Sequence, residues 1–184
     1  MSGMEAEVLA GIIGAGAGTV AALLGGWLQQ RHQTKLAREE REAARQDAAF
    51  DTAAAAVFAF QDLFRRRRRG GTEEDWEHQL HGQVDRLRLA ALTLNETKLR
   101  ERLEEAADLI VNWQLLVPNG LDEPHEIRAA LQVADHVRDV LGQYRRTGKV
   151  PEPSKGYAEA KGWMEEWEEL YEEQQRLRRL DNQR

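Results

Sequence analysis

The sequence predicts an all-α protein: one N-terminal transmembrane helix continuing into a long helix, followed by a cytoplasmic helical bundle. Three observations carry that prediction. Residues 8–28, VLAGIIGAGAGTVAALLGGWL, contain no charged side chain. From Phe50 onward apolar residues recur at intervals of three and four, the period of one helix face. The two-residue alternation of a strand is missing throughout, and the chain has only four prolines in 184 residues.

The uncharged run comes first. At ~1.5 Å per residue it spans ~31 Å, about the thickness of a bilayer's hydrocarbon core. A secretory signal peptide would open with positive charge and have a shorter apolar core. Here residues 1–7 carry Glu5 and Glu7 and neither Lys nor Arg. A cleaved signal and a Gly/Ala-rich core helix are the plainer alternatives. Arg31, Lys35, Arg38, Arg41 and Arg45 follow the run. Such an excess of Lys/Arg marks the cytoplasmic side, so residues 1–7 are expected outside and the rest inside, with Trp27 at the inner interface. Within the run, Ala10, Gly14, Gly18, Ala22 and Gly26 recur every four residues. A stripe of small side chains lets two backbones approach closely, which drives helix association in lipid.

Residues 29–46, QQRHQTKLAREEREAARQ, are polar nearly all round and predict a charged helical spacer with i,i+4 pairs such as Lys35–Glu39. A four-helix bundle is expected over 47–148. Its first helix carries Phe50, Ala53, Val57, Phe60 and Phe64 and ends at Gly70-Gly71 after five arginines. Thr72 is the expected N-cap of the second helix, whose apolar positions are Trp76, Leu80, Val84, Leu87, Ala91 and Leu94. Asn95 is the expected cap of the third, with Leu94 and Leu99 as a hydrophobic staple and a stripe of Leu99, Leu103, Ala106, Ile110, Trp113 and Val117. Asp122 and Pro124 open the fourth, which bears Ile127, Leu131, Ala134, Val137, Leu141 and Tyr144 and is closed by Arg145, Arg146 and Gly148. A Pro-containing linker, 149–156, leads to an acidic amphipathic helix over 157–184. Its expected apolar stripe is Trp163, Trp167, Leu170 and Leu177, with Gln174 as the polar member.

Composition excludes several chemistries. There is no Cys, hence no disulfide, thiolate nucleophile or Cys-ligated metal. No Gly-rich phosphate loop follows a strand, and G-x-S-x-G is absent. The net charge of −6 argues against a general nucleic-acid binder. His78 and His81 stand three apart beside Glu74 and Glu77, but a di-iron bundle needs a second Glu-x-x-His, which the chain lacks. An exposed helix face explains them. No catalytic, cofactor-binding or metal-ligating residue is expected.

Two charged clusters are the remaining candidate sites. Arg65, Arg66, Arg67, Arg68 and Arg69 could meet phosphates, anionic lipid or an acidic partner. In a straight helix Arg67 lies ~58 Å beyond Leu28, far outside a Debye length of ~8–10 Å, which argues against the lipid surface. The acidic face of the last helix, Glu165, Glu166, Glu168, Glu169, Glu172 and Glu173, is the nearer candidate. A solvated helix end is the plain alternative.

The Gly/Ala-rich opening, the segment WLQQRHQTKLAREEREAAR and the aromatic helix ending in arginines resemble a loose group of small actinobacterial single-span membrane proteins. Members of that group carry a cytoplasmic helical domain, mostly of unknown function. The resemblance covers about the first 70 residues and rests on layout. It implies a bacterial inner-membrane setting and no activity. The expected function is a non-enzymatic scaffold or adaptor holding a protein partner, or another copy of itself, at the inner membrane. The alternative is a holin- or toxin-like protein whose span assembles into a pore. The expected partners are the membrane, a protein of unspecified identity and a second copy, with no nucleic acid, small-molecule substrate or cofactor.

Overall fold

The computed structural model describes the backbone over residues 3–71, 74–118 and 121–181, and side chains from Gln30 to Arg179 within those ranges. Five α-helices and one short 3-10 helix follow in order: α1 Gly3–Arg68, α2 Trp76–Thr93, α3 Thr97–Val111, the 3-10 turn Trp113–Leu115, α4 Glu123–Thr147 and α5 Lys155–Asp181. Every described element is helical. Among the described residues no helix is long and apolar enough to cross a membrane. The run 8–28, with its stripe of Ala10, Gly14, Gly18, Ala22 and Gly26, lies outside the described side chains.

The chain divides into two units, Met1–Arg45 and Gln46–Arg184. In the first, the described side chains are almost all exposed, and Lys35 and Glu39 stand 3.8 Å apart at the expected i,i+4 spacing. In the second, burial starts at Ala49, and Ala53, Val57, Phe60 and Phe64 are fully enclosed. That onset follows from composition, because a helix polar on every side has no face to bury whereas one with a wide apolar stripe does.

The core of the second unit is one cluster drawn from all five helices. Its α1 residues share that cluster with the α2 stripe of Leu80, Val84, Leu87 and Ala91 and the α3 stripe of Leu99, Leu103, Ala106 and Ile110. At one end Phe64, Trp76 and Trp113 form a triangle of edge-on rings with centroids 5.5–5.8 Å apart. The Trp76 indole N–H donates to the Leu63 carbonyl at 3.3 Å. Two tethers between helices are polar: Gln61, buried, donates to Asp135 Oδ1 at 2.8 Å, and the Gln46 amide bridges the Thr93 carbonyl and the Asn95 N–H at 2.8 and 3.0 Å.

Several helix ends differ from the sequence expectation. The helix α2 opens at Trp76 with Asp75 as its cap residue, and Thr72 lies outside the described residues. The cap residue of α3 is Glu96, not Asn95, whose N–H is given instead to Gln46. Leu94 and Leu99 are nonetheless both buried, as the staple requires. The third stripe was expected to continue to Val117 in one helix, but α3 stops at Val111 and Trp113 enters the core from a 3-10 turn. The tighter turn rotates Trp113 toward Phe64 and Trp76. By contrast α4 begins and ends as read, with Asp122 at the cap, Pro in the first turn and Gly148 closing it at φ 66, where a left-handed residue lets its N–H reach Tyr144 O at 2.7 Å.

The helix α4 is buried on two rows. Of the expected row, Ile127, Ala134, Val137 and Leu141 are buried and Leu131 and Tyr144 partly so, with Ala130 buried beside them, and Ala129, Val133, His136 and Val140 form a second row at 4-3-4 spacing. Two covered rows are what a helix between neighbours needs, and α4 packs on both α3 and α5.

Candidate functional site: a polar latch under the last helix

Where α5 meets α3 and α4, five polar side chains converge. Arg102 and Glu105 come from one face of α3, His136 from the second row of α4, and Tyr157 and Lys161 from the first turns of α5. Tyr157 is 1% exposed and His136 4% exposed, so both need partners there. The Tyr157 hydroxyl donates to Glu105 Oε2 at 2.6 Å, and the Lys161 ammonium donates to the other carboxylate oxygen. Arg102 Nη1 lies 2.9 Å from His136 Nε2, and its guanidinium sits 5.3 Å from the centre of the Tyr157 ring. The imidazole and phenol rings are 4.4 Å apart.

Arginine can only donate, so His136 Nε2 must accept and the single ring proton sits on Nδ1. The Ser154 N–H also points at the ring, 3.4 Å from Nδ1, so both ring nitrogens face donors. Protonating the ring would set N–H groups against donors on both sides. Burial first, and the Arg102 charge second, hold the His136 pKa below its usual value. For Glu105 burial acts upward, but the hydrogen bonds from Lys161 and Tyr157 and the charges of Lys161 and Arg102 outweigh it and keep the carboxyl below the usual range. The hydrogen bond to Glu105 raises the Lys161 ammonium. Burial, and then the Glu105 carboxylate, push the Tyr157 phenol up. Tyr157 therefore stays a neutral donor, Glu105 an anion and Lys161 a cation. That set is suited to clamping a helix. It offers no activated nucleophile.

The pH dependence follows by linkage. His136 and Glu105 both bind protons more readily once the fold is lost, so their contribution is complete above pH 6.5 and is withdrawn as pH falls. It is lost first as His136 is protonated below 6.5, then as Glu105 is protonated below 4.5. Lys161 acts in the opposite sense, and its contribution is lost as pH rises past 10.5.

The clusters singled out from sequence fall elsewhere. Arg67 reaches Glu123 of α4 and lies 5.0 Å over the Trp76 ring, while Arg66 Nε is 3.1 Å from Asp62 on its own helix. The carboxylates seen at the arginine run thus come from α1 itself and from the start of α4. Arg65, Arg68 and Arg69 are exposed. On α5, Glu165, Glu166, Glu168, Glu169, Glu172 and Glu173 are all exposed, and Glu165 lies 3.8 Å from Lys161 one turn back. His81 Nδ1 is 2.8 Å from the Glu77 carbonyl and donates to it.

The latch itself was missed in the sequence. Its one legible trace was the second row on α4, Ala129–Val133–His136–Val140, which marks a covered face for which the bundle of four leaves no partner. The row by which α5 docks was also different from expectation. Tyr157 and Ala160 are buried and Met164 packs on the core, whereas Trp163 and Trp167 are half-buried and Leu170 and Leu177 are exposed. Hydrophobicity favoured the Trp/Leu row, but docking is set by where Glu105 and His136 can be satisfied.

No family model matches the chain, and neither a curated protein nor a solved structure matches it.

Proposed function

We propose that the protein is a membrane-anchored, non-enzymatic helical scaffold, its N-terminal run inserted in a bacterial inner membrane and its helical domain offered to partners on the cytoplasmic side. The observation that carries this reading is the uncharged run 8–28 followed by Arg31, Lys35, Arg38, Arg41 and Arg45. Length matched to the hydrocarbon core supports insertion, and the one-sided Lys/Arg excess supports the orientation. An adaptor role is supported by the domain itself. Its most polar buried cluster is a clamp between helices, and the far half of α5 displays Leu170, Tyr171 and Leu177 to solvent.

A reporter that is active only in the cytoplasm, fused after Arg184, tests the orientation. Activity is expected, with a reporter that works only in the periplasm silent at the same position. The reverse pattern overturns the topology. Collapse of the membrane potential on expression would replace the scaffold reading with the holin-like one.

A further inference from the structure

The far half of α5 carries an apolar row that the bundle covers only in part, Trp163 and Trp167 being half-buried and Leu170 and Leu177 exposed. Docking uses Tyr157, Ala160 and Met164, and Trp163, Trp167, Leu170, Gln174 and Leu177 lie on a separate row about a quarter-turn around the helix. Leu170 is 48% exposed and Leu177 56% exposed. This row repeats 4-3-4-3, the spacing of a coiled-coil seam, with Leu170 and Leu177 at d and Trp167 and Gln174 at a.

We propose that residues 167–179 of α5 pair in parallel with the same segment of a second copy of this chain. Charge complementarity selects the occupant and its direction. In the register set by the seam, Glu166 and Glu173 take g positions, and Tyr171 and Arg178 take e positions. A parallel pair sets each g against the e five residues on in its partner, so Glu173 meets Arg178 of the other copy, twice by symmetry. Glu166 meets the neutral Tyr171. In an antiparallel pair g flanks g, which brings the glutamates at these positions against one another, a like-charge contact. Glu165, Glu168, Glu169 and Glu172 fall on outward positions in either case and remain in water. Gln174 is the single polar residue at a, the kind of position that fixes register.

Two heptads are marginal by themselves. The pairing rests on the anchoring reading for its strength, because copies confined to one membrane meet at high effective concentration.

The chain has no Cys, so a single introduced thiol can bond only to another copy. The full-length protein is reconstituted in lipid vesicles as Gln174→Cys, at the seam, or Glu172→Cys, on the outward side. After mild oxidation, disulfide dimer at 174 is expected roughly tenfold above that at 172. Adding Glu173→Lys to the 174 variant should lower the yield severalfold, and adding Arg178→Glu as well should restore it. Equal yields at 174 and 172 overturn the pairing, because dimers held only by their spans would collide through either thiol. An antiparallel pair would leave the thiol at position 174 unlinked, since it faces a different residue of the other copy, and that result overturns the parallel assignment. Retention in the vesicles without the 174 link rejects the pairing alone. The 174 link in protein that fails to enter vesicles rejects the anchoring alone.

Discussion

Replacing Trp76 with alanine is expected to destabilise the helical domain by about 3–5 kcal/mol, the usual range for truncating a buried aromatic. Trp76 is 2% exposed and joins three elements at once. Its ring meets Phe64 of α1 and Trp113 of the 3-10 turn edge-on, and its N–H satisfies the Leu63 carbonyl. The alanine variant leaves a cavity between those rings and removes the indole hydrogen bond to the Leu63 carbonyl. Domains of this size hold ~5–15 kcal/mol in total, so a large part of the margin is at stake. A urea midpoint lowered by roughly 1–3 M is the expected reading. Trp76→Phe keeps an aromatic contact and should cost about half as much. An alanine variant within ~1 kcal/mol of the parent would show that the triangle is not the packing centre described.

The second large effect is local. Tyr157→Ala removes the largest fully buried side chain in the domain and the hydroxyl that donates to Glu105. The expected cost is again about 3–5 kcal/mol, but it falls on the docking of α5 rather than on the four-helix core. Hydrogen exchange should show protection lost over the first turns of α5 while α2 and α3 keep theirs. Proteases should then cut the linker between Val150 and Ser154. Tyr157→Phe retains the ring against His136 and loses only the hydrogen bond to a charged acceptor, worth about 1.5–3 kcal/mol. Lowering the pH below 6.5 should loosen the same turns without any substitution, because His136 gains a proton that its neighbours cannot accept. Protection of α5 that is unchanged by both Tyr157→Ala and acid would show that the latch does not hold it.

What the sequence made legible was periodic and apolar. The α3 stripe Leu99–Leu103–Ala106–Ile110 and the α2 stripe from Trp76 to Ala91 are buried residue for residue, because a continuous 3–4 spacing admits one inward face. The cap and stop of α4 were also legible, since Asp122, Pro124 and Gly148 act through their own backbone preferences. What stayed hidden depends on long-range pairing. His136 interrupts an apolar row with a polar residue, and its burial is understandable only once Arg102, 34 positions away, is beside it. Glu105 looked like one of 32 acidic residues until Tyr157 and Lys161, more than fifty positions on, closed over it. The arginine run invited pairing with the longest acidic stretch, whereas the fold supplies Glu123 because α4 starts beside the end of α1. Helix ends were misplaced where a distant side chain intervened, as Gln46 does in accepting the Asn95 backbone N–H.

Insertion of residues 8–28 is the claim on which the functional reading turns. Membranes from cells making the full chain, washed in alkaline carbonate, test it most directly. Carbonate strips proteins held by charge or by surface contact and leaves those that span the hydrocarbon core. The chain is expected to stay with the pellet and to leave it only with detergent. Replacing Gly18 with arginine, at a cost of ~2.5–3.5 kcal/mol at the centre of a span, should move a substantial fraction to the supernatant. Release of the unsubstituted chain by carbonate alone would contradict the anchor, and with it the scaffold held at the membrane.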